Sequence, residues 1–506
     1  MSVNHRTLII QNLILATLLT TVFAGCRLLH KVEQAPLPSV EAPAAYTTEN
    51  QDGTAVEGEW WKEFKSEELD SLMDTALDGN LDIRQAWNRL AQAQAVFVIN
   101  RAGQLPSVQL NGNRSENLTK DDRPLDANPI FIDAATQLRV PFVDSELKTE
   151  FTTLGGALSY ELDIWGRVAS LKSSAKMQMA ATYDDVQATA FVVSGSVMDS
   201  WLAVREQVEL LKLVREQLEA NKTQLELLEL RLGVGQATAL DVLQQRQQLA
   251  ATEAEIPTFA SVLDTSQHRL EILLGRVPRR GMVETNDVGL PNLVPLPKLS
   301  APADLLNARP DLRAARRQLV AADHEVASAI ADRLPRITFS LSYDFRAEDF
   351  AGPFNQEIQN VIGSFVAPIF EGGRRRAEVT RRRAIVEERL NRYTQVYLNA
   401  LLEVENALTQ EMRQGELLQA LQKQTGHAKR SLQEARARYL NGLNDYLPVL
   451  TALQTVQRLE RRLVSERRRQ LTFRANLYRA LGGRWTESLS LKKDEQETEE
   501  EQQPVE

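Results

Sequence analysis

The residues of this chain that could carry out covalent or metal chemistry are few and far apart. The only cysteine is Cys26, and no two histidines share a spacing typical of metal ligands; they are His5, His30, His268, His324 and His427. The sequence contains no glycine-rich phosphate loop, nucleophile elbow or dinucleotide-binding fingerprint. These patterns favour a protein that is not an enzyme and that holds no metal or cofactor.

The segment around Cys26 is typical of a lipid-attachment signal. An apolar run over residues 13–23 follows a basic start, and the sequence VFAG at residues 22–25 leads directly into Cys26. The run spans 11 residues, whereas a membrane-spanning helix needs about 20. We predict a signal peptide over residues 1–25 and lipidation of Cys26. An ordinary signal-peptidase cut is the alternative, because Phe23 stands where leucine is usual.

The remaining composition predicts a helical protein with one membrane anchor. The chain is 43 % apolar and only 6 % aromatic, which fits long helices better than many packed sheets. No run of about 18 apolar residues follows Cys26, so the mature chain would have to cross a membrane with strands. Residues 26–58 contain prolines and glycines without apolar periodicity, which predicts a linker and a folded body that begins near Trp60.

Charge is concentrated at the end of the chain. The net charge is −9, and residues 492–506 contribute −5 of it through seven acids and two lysines. We predict a disordered acidic tail over residues 488–506. Arginine runs at residues 374–376 and 467–469 lack interleaved aromatic residues, so nucleic-acid binding is not indicated. Contacts with lipid headgroups or solvated helix faces are the expected roles of these arginines.

An internal repeat organises the chain. The sequence NLDIRQA at residues 80–86 recurs as RPDLRAA at residues 309–315, an offset of 229. A second offset, of 207, relates further pairs, among them Gly166 and Gly373, Arg167 and Arg374, and Gly235 and Gly442. The difference of 22 residues places a longer loop in the first half, over roughly residues 117–150. We predict two repeats, residues 59–290 and residues 291–487.

The residue pattern of each repeat predicts helices first, then a hairpin of strands, and then a long helical hairpin. Apolar residues recur every three or four positions over residues 66–103, which Gly79 and Asn80 divide into two helices. Segments of period two flank the long loop and recur over residues 337–345 and 358–369, giving four strands per chain. Because four strands cannot close a membrane sheet, they must join strands of other copies.

The long helices extend well beyond a membrane. Residues 166–232 contain no proline and follow a heptad-like apolar pattern, which predicts one helix of 67 residues. At about 1.5 Å per residue it reaches on the order of 100 Å, so it must project into an aqueous compartment, the periplasm. Gly233 and Gly235 end this helix, and Thr238 begins its antiparallel partner.

Three motifs resemble those of the outer-membrane efflux factors, in the TolC-like family and nearest to its NodT-type lipoproteins. They are YELDIWGR at residues 160–167, RPDLR at residues 309–313 and APIFEGGR at residues 367–374. The resemblance runs from about residue 60 to residue 485. It implies a homotrimer with a long coiled-coil α-helical barrel in the periplasm, continuous with a transmembrane β-barrel that three chains share. Junctions between barrel and helices would lie at Trp165, Gly166, Arg167, Gly373 and Arg374.

The same resemblance implies a passive exit duct for small molecules. Its partners would be a periplasmic adaptor and an inner-membrane pump, of the RND type, and it would contact outer-membrane lipid. The chain would be anchored in the outer membrane through Cys26 and extend into the periplasm. A duct for type I protein secretion is one alternative, and a pore-free structural coiled-coil lipoprotein of the periplasm is another.

The family places its periplasmic gate and its adaptor contacts at the helix tips. We expect gate residues at Asn444, Asp445, Arg231, Arg438 and Asp241, and adaptor contacts at Gly233, Gly235, Thr238, Leu240, Gly442 and Leu447. Similar sequences carry an acid at the position of Asn444, and here Asp445 follows it. Two hypotheses stand for Asp445: a carboxylate ring that favours cations and is neutralised on protonation, or a helix cap.

Overall fold

The computed structural model describes residues 30–34, 36–46, 58–120, 146–279, 289–299, 301–347, 354–483 and 485–489. Cys26, the predicted signal peptide and residues 490–506 of the predicted tail lie outside them. The chain forms two compact units. Of the described residues, the sheet unit comprises 30–34, 95–120, 146–176, 320–347 and 354–386. The helical unit comprises 36–46, 58–94, 177–279, 289–299, 301–319, 387–483 and 485–489.

The sheet unit contains one antiparallel sheet of four strands, ordered β1-β2-β3-β4 as in the chain. The strands are β1 (Ser107–Lys120), β2 (Glu146–Leu162), β3 (Arg336–Ala347) and β4 (Gln356–Val366). Within the described residues, β1 and β4 are each paired on one side only. They therefore present unpaired backbone groups to a further strand.

The strand register separates an apolar face from a polar face. Val108, Leu158, Leu341 and Val361 form one row across the four strands, and alternate residues share their face. That face also carries the residues Leu110, Tyr160, Phe339, Tyr343 and Phe365. The next row, on the opposite face, contains Gln109, Ala157, Ser342 and Asn360. Leu110 is 80 % exposed, so the apolar face lies open in the single chain.

Two strand boundaries differ from the sequence prediction. The predicted loop over residues 117–150 was too long, because β1 continues to Lys120 and β2 begins at Glu146. The polar residues at these ends pair across the hairpin, Lys120 with Glu146 and Asn117 with Thr149. In the second half β4 ends at Val366, so Ile369, which was predicted to be in the strand, lies beyond it.

The described residues also form seven helices of 13 residues or more. They are α1 (Glu67–Gly79), α2 (Leu81–Ala102), α3 (Arg167–Gly233), α4 (Ala239–Leu273), α5 (Pro310–Ala331), α6 (Arg374–Leu440) and α7 (Leu447–Leu481). The predicted break at Gly79 and Asn80 is confirmed, since the Asn80 side chain accepts a hydrogen bond from the Asp82 N–H at 2.9 Å and so caps α2. The helices α3 and α6 have 67 residues each, and α4 and α7 have 35 each.

The core of the helical unit is built on aromatic residues. Trp61 packs edge-on against Trp485, with ring centroids 4.8 Å apart, and Phe191 lies 5.0 Å from the same Trp485 ring. The folded unit begins earlier than the predicted start near Trp60. Tyr46 is buried, and the Ser39 N–H donates a hydrogen bond to Thr394 at 3.0 Å, so part of the predicted linker is packed.

Candidate functional site

The RPDLR motif lies in the helical unit and ties its helices together. Arg309 donates two hydrogen bonds to Asp311, at 3.1 and 2.7 Å, a bidentate pair that orients the guanidinium. Its remaining nitrogen reaches Glu403 on α6 at 2.7 Å and the Ala480 carbonyl near the end of α7 at 3.2 Å. Arg309 therefore clamps the start of α5 to two other helices.

The second arginine of the motif joins a buried charge cluster. Arg313 contacts Asp184 at 3.2 Å, and Arg317 contacts the other oxygen of Asp184 at 2.7 Å. The Asp184 side chain is only 2 % exposed. Since a buried charge is tolerated only with partners, this motif has a structural role in the packing of α3 against α5.

The first junction between sheet and helix follows β2. The Trp165 indole N–H donates to the Pro335 carbonyl at 2.7 Å, which joins this turn to the turn before β3. Asp163 accepts hydrogen bonds from the N–H groups of Val168 and Ala169, at 3.1 and 2.7 Å, and so caps α3. Gly166 adopts a positive φ of 73° at the turn between β2 and α3.

Arg167 closes the first junction through a bidentate ion pair with Glu161, at 3.0 and 2.8 Å. At the second junction Gly373 has φ 86°, and Arg374 pairs with Glu371 at 2.9 Å. Arg375 contacts both Glu371, at 2.8 Å, and Asp332 at the end of α5, at 2.6 Å. These two arginines hold the pKa of Glu371 below its usual range.

An N-terminal segment packs near the first junction, within the sheet unit. His30 Nε2 lies 2.5 Å from Asp323 on α5, and the Glu33 N–H donates to the other oxygen of Asp323 at 3.2 Å. This segment shares a cavity with Trp165, Gly166 and the half-buried His324. No local pattern predicted this contact, because the partners lie 293 positions apart.

The two helix tips use the same turn. The Gly235 N–H donates to the Leu232 carbonyl at 3.0 Å and the Gln236 N–H to the Arg231 carbonyl at 2.8 Å. Gly442 and Leu443 make the corresponding bonds to Tyr439 and Arg438, at 3.1 and 2.9 Å. Both glycines have positive φ, 74° and 69°. This Schellman arrangement explains why glycine ends both long helices.

The helix tips of the two repeats pack on a common apolar cluster. Its buried members are Leu228, Val242, Leu432, Tyr439, Tyr446, Val449, Leu450, Leu453 and Val456. The rings of Tyr439 and Tyr446 meet edge-on, with centroids 5.3 Å apart. The Tyr446 hydroxyl donates to Gln245 Oε1 on α4 at 2.7 Å, which joins the two helical hairpins. Burial raises the pKa of Tyr446, so its hydroxyl stays protonated.

The structure separates the five predicted gate residues into two groups. Asn444 and Asp445 are exposed in the second turn, and neither side chain has a hydrogen-bond partner within the part of the chain that is described. The helix-cap hypothesis for Asp445 is wrong, since α7 begins at Leu447 with Tyr446 at the cap position. Arg438 is also exposed and pairs with Glu434 at 2.8 Å.

Asp241 and Arg231 face the packed side of the tip. Asp241 is buried and forms a capping box with Thr238, at 2.9 and 3.2 Å. The T-x-x-D spacing of these two residues was the sequence signal for that role. The Arg231 guanidinium lies 5.2 Å from the centre of the Tyr439 ring, a cation–π contact.

The predicted adaptor-contact residues lie at the exposed ends of the tips. Leu240 and Leu447 are 62 % and 56 % exposed, and Gly233, Gly235, Thr238 and Gly442 are exposed beside them. The predicted tips, residues 231–241 and 438–447, also contain Val234 and Leu443, which are the most exposed apolar side chains of the two turns. An apolar surface of this kind on a soluble portion of a protein is typical of a contact with a partner.

A band of buried amides lies behind the tips and was also missed. Asn221 on α3 donates to Thr252 on α4 at 2.9 Å and accepts from Gln457 on α7 at 2.9 Å. The Asn221 carbonyl accepts from Gln245 at 2.8 Å. Because buried polar groups are costly unless bonded, this network holds α3, α4 and α7 in one register.

Two features are absent from the described residues. No described helix is both long and apolar enough to span a bilayer. Nor does any group of three or more histidine, cysteine, aspartate or glutamate side chains come together, in the described ranges, with the geometry of a metal site.

The chain is similar in sequence to outer-membrane proteins of efflux and export systems. The sequence model described as outer membrane efflux protein matches residues 72–276 and 301–483. The pyoverdine export outer membrane protein OpmQ of Pseudomonas aeruginosa is 30 % identical over 92 % of this chain and 96 % of its own length. The toluene efflux pump outer membrane protein TtgI of Pseudomonas putida is 28 % identical over 84 % and 87 %.

Solved structures agree with these sequence matches. The outer-membrane channel OprN superposes with a TM-score of 0.79 at 27 % identity, over 90 % of this chain and 99 % of OprN. The chain therefore belongs to the outer membrane efflux protein family. The predictions of this family, of a role in efflux and of a location in the outer membrane are confirmed.

Proposed function

We propose that three copies of this chain form a passive exit duct, without enzymatic activity, that works with a periplasmic adaptor and an inner-membrane pump. The observation that carries the proposal is the two-faced sheet, whose edge strands β1 and β4 are each paired on one side only within the described residues. Joining β4 of one copy to β1 of the next would close twelve strands around an aqueous lumen. The apolar face would then meet lipid and the polar face would line the pore.

The N-terminal contact supports a lipid anchor at the level of the junction. His30 follows Cys26 by four residues, a stretch that spans at most about 14 Å. Since His30 contacts α5 next to the junction, an acyl chain on Cys26 would reach the inner surface of the membrane. We expect Cys26→Ser to abolish incorporation of labelled palmitate in cells. If labelling persists in this variant, the predicted lipidation of Cys26 is wrong.

The tips support a gate and a docking surface. Exposed Val234 and Leu443 offer apolar contacts to an adaptor. Asp445 is exposed beside them, so three copies would bring three carboxylates together around the axis and favour cations there. In this arrangement Asp241 positions the turn and takes no part in the ring.

The alternatives fit the observations less well. A pore-free coiled-coil lipoprotein has no use for a sheet whose apolar face is open to the surroundings. Relatives named for pyoverdine export and toluene efflux favour small molecules over proteins as the cargo. We retain the five-part division as a proposal: residues 1–25, 26–58, 59–290, 291–487 and 488–506.

Single-channel conductance in planar bilayers tests the proposal. We expect a small, cation-selective conductance for the purified protein, and a larger or less selective one for Asp445→Ala. Glu416→Ala is the matched control, since it removes an exposed carboxylate from α6 at a position without an assigned gate role. Unchanged selectivity in Asp445→Ala would place the gate elsewhere, and the absence of any conductance would refute the channel.

A further inference from the structure

The second junction contains a basic cleft to which the duct function assigns no role. Within the sheet unit, its walls include Arg333, Ile369, Phe370, Glu371 and the three arginines of residues 374–376, around a volume of about 320 Å³. Four arginines and one glutamate give this lining a net charge of three positive. A concave surface with this charge fits an anionic group.

Among the described residues, two of the four arginines, Arg333 and Arg376, are free to bind an anion. Arg374 and Arg375 are held by Glu371, and Arg375 also contacts Asp332. Arg333 and Arg376 are exposed, and neither forms an ion pair within the described part of the chain. Guanidinium groups bind phosphate oxygens through paired hydrogen bonds, so these two side chains fit a phosphate better than a simple halide ion.

Apolar side chains lie directly beside this charge. Ile369 is 91 % exposed and Phe370 is 88 % exposed, and both follow the end of β4 at Val366. All four strands meet the helices at this end of the sheet, while the other end is formed by the strand ends at Lys120, Glu146, Ala347 and Gln356. If the sheet spans the membrane, the cleft therefore stands where hydrocarbon gives way to headgroups on the periplasmic side.

We propose that this cleft binds the headgroup of an anionic phospholipid of the periplasmic leaflet, an inference that rests on the duct proposed above. The lipid phosphate contacts Arg333 and Arg376, and its glycerol and upper acyl chains lie on Ile369 and Phe370. A soluble phosphate would use the arginines but not the two apolar side chains. The lipid would fix the height of the junction in the membrane, at the point where β4 leads into α6.

Lipid retention by the full-length protein in detergent tests this site. Delipidated protein is titrated with phosphatidylglycerol, and bound lipid is counted by native mass spectrometry, with three per trimer expected. Each arginine near an anionic lipid contributes a factor of about five in affinity, so Arg333→Gln with Arg376→Gln should weaken binding roughly 25-fold. The control pair, Arg381→Gln with Arg383→Gln, removes the same charge from exposed positions farther along α6 and should leave binding unchanged.

The remaining outcomes decide between occupants. Equal displacement by free glycerol phosphate would overturn a lipid site in favour of a soluble anion. A photoreactive residue at position 370 that crosslinks to a neighbouring copy, and not to lipid, would show that protein covers the cleft. Equal weakening by both arginine pairs would reduce the effect to general surface charge. Conductance of the same samples separates these results from failure of the duct itself.

Discussion

Removal of the Tyr446 hydroxyl should weaken the contact between the two helical hairpins at the tips without disturbing its packing. The hydroxyl donates to Gln245 at 2.7 Å, and Gln245 in turn donates to the Asn221 carbonyl at 2.8 Å. This chain of bonds connects the beginning of α7 with α4 and α3. Tyr446→Phe keeps the buried ring and its edge-on contact with Tyr439, but leaves Gln245 Oε1 without that donor.

The expected magnitude follows from the burial of the bond. Tyr446 and Gln245 are both fully buried. Loss of a neutral buried hydrogen bond that leaves its acceptor unsatisfied costs about 1–3 kcal/mol. If opening separates the two hairpins and breaks this bond, a loss of ~1.5 kcal/mol shifts the closed-to-open ratio about tenfold for each chain. The variant should therefore open more often while its fully open conductance stays the same.

The assay is the open probability of single channels in planar bilayers, at one voltage and one salt concentration. Tyr393→Phe is the matched control, because Tyr393 is equally buried on α6 and its hydroxyl has no hydrogen-bond partner among the described residues. That control should behave like the unaltered protein. Equal open probabilities for Tyr446→Phe and Tyr393→Phe, with intact trimers, would refute the idea that this bond holds the tip closed.

Two further predictions concern stability. Asp184→Ala leaves the buried Arg313 without its carboxylate and should lower the free energy of unfolding by about 3–5 kcal/mol. The control Glu416→Ala removes an exposed partner of Arg413 and should lower it by under ~1 kcal/mol. Similar shifts of the two thermal midpoints would contradict this prediction. Burial lowers the pKa of His324 in the folded protein below 6.5. As pH falls below 6.5, His324 is therefore protonated more readily in the unfolded chain than in the folded protein, and the folded protein loses stability. His324→Gln should lessen that decline in midpoint, and an unchanged slope would exclude the histidine as its cause.

Turns and helix ends were largely predictable because their signals are local. Gly235 and Gly442 ended helices as predicted, since only glycine enters the left-handed region at low cost. Thr238 starts α4 as predicted, but Asp241 was assigned to the gate although its spacing from Thr238 indicated a capping box. The reverse holds for Asp445, for which the sequence allowed a capping role. The structure leaves its side chain exposed, because α7 begins two residues later, at Leu447.

The sequence by itself determined the repeat, the alternation of residues along the strands, the long helices and the glycine turns, because each depends on residues near one another in the chain. Only the tertiary structure decided which polar groups meet. Asp184 contacts Arg313, which lies 129 positions away in the sequence. Tyr446 contacts Gln245 at a separation of 201 positions, and His30 contacts Asp323 at a separation of 293. Such contacts depend on the packing of helices that are distant in sequence, and no local pattern encodes their partners.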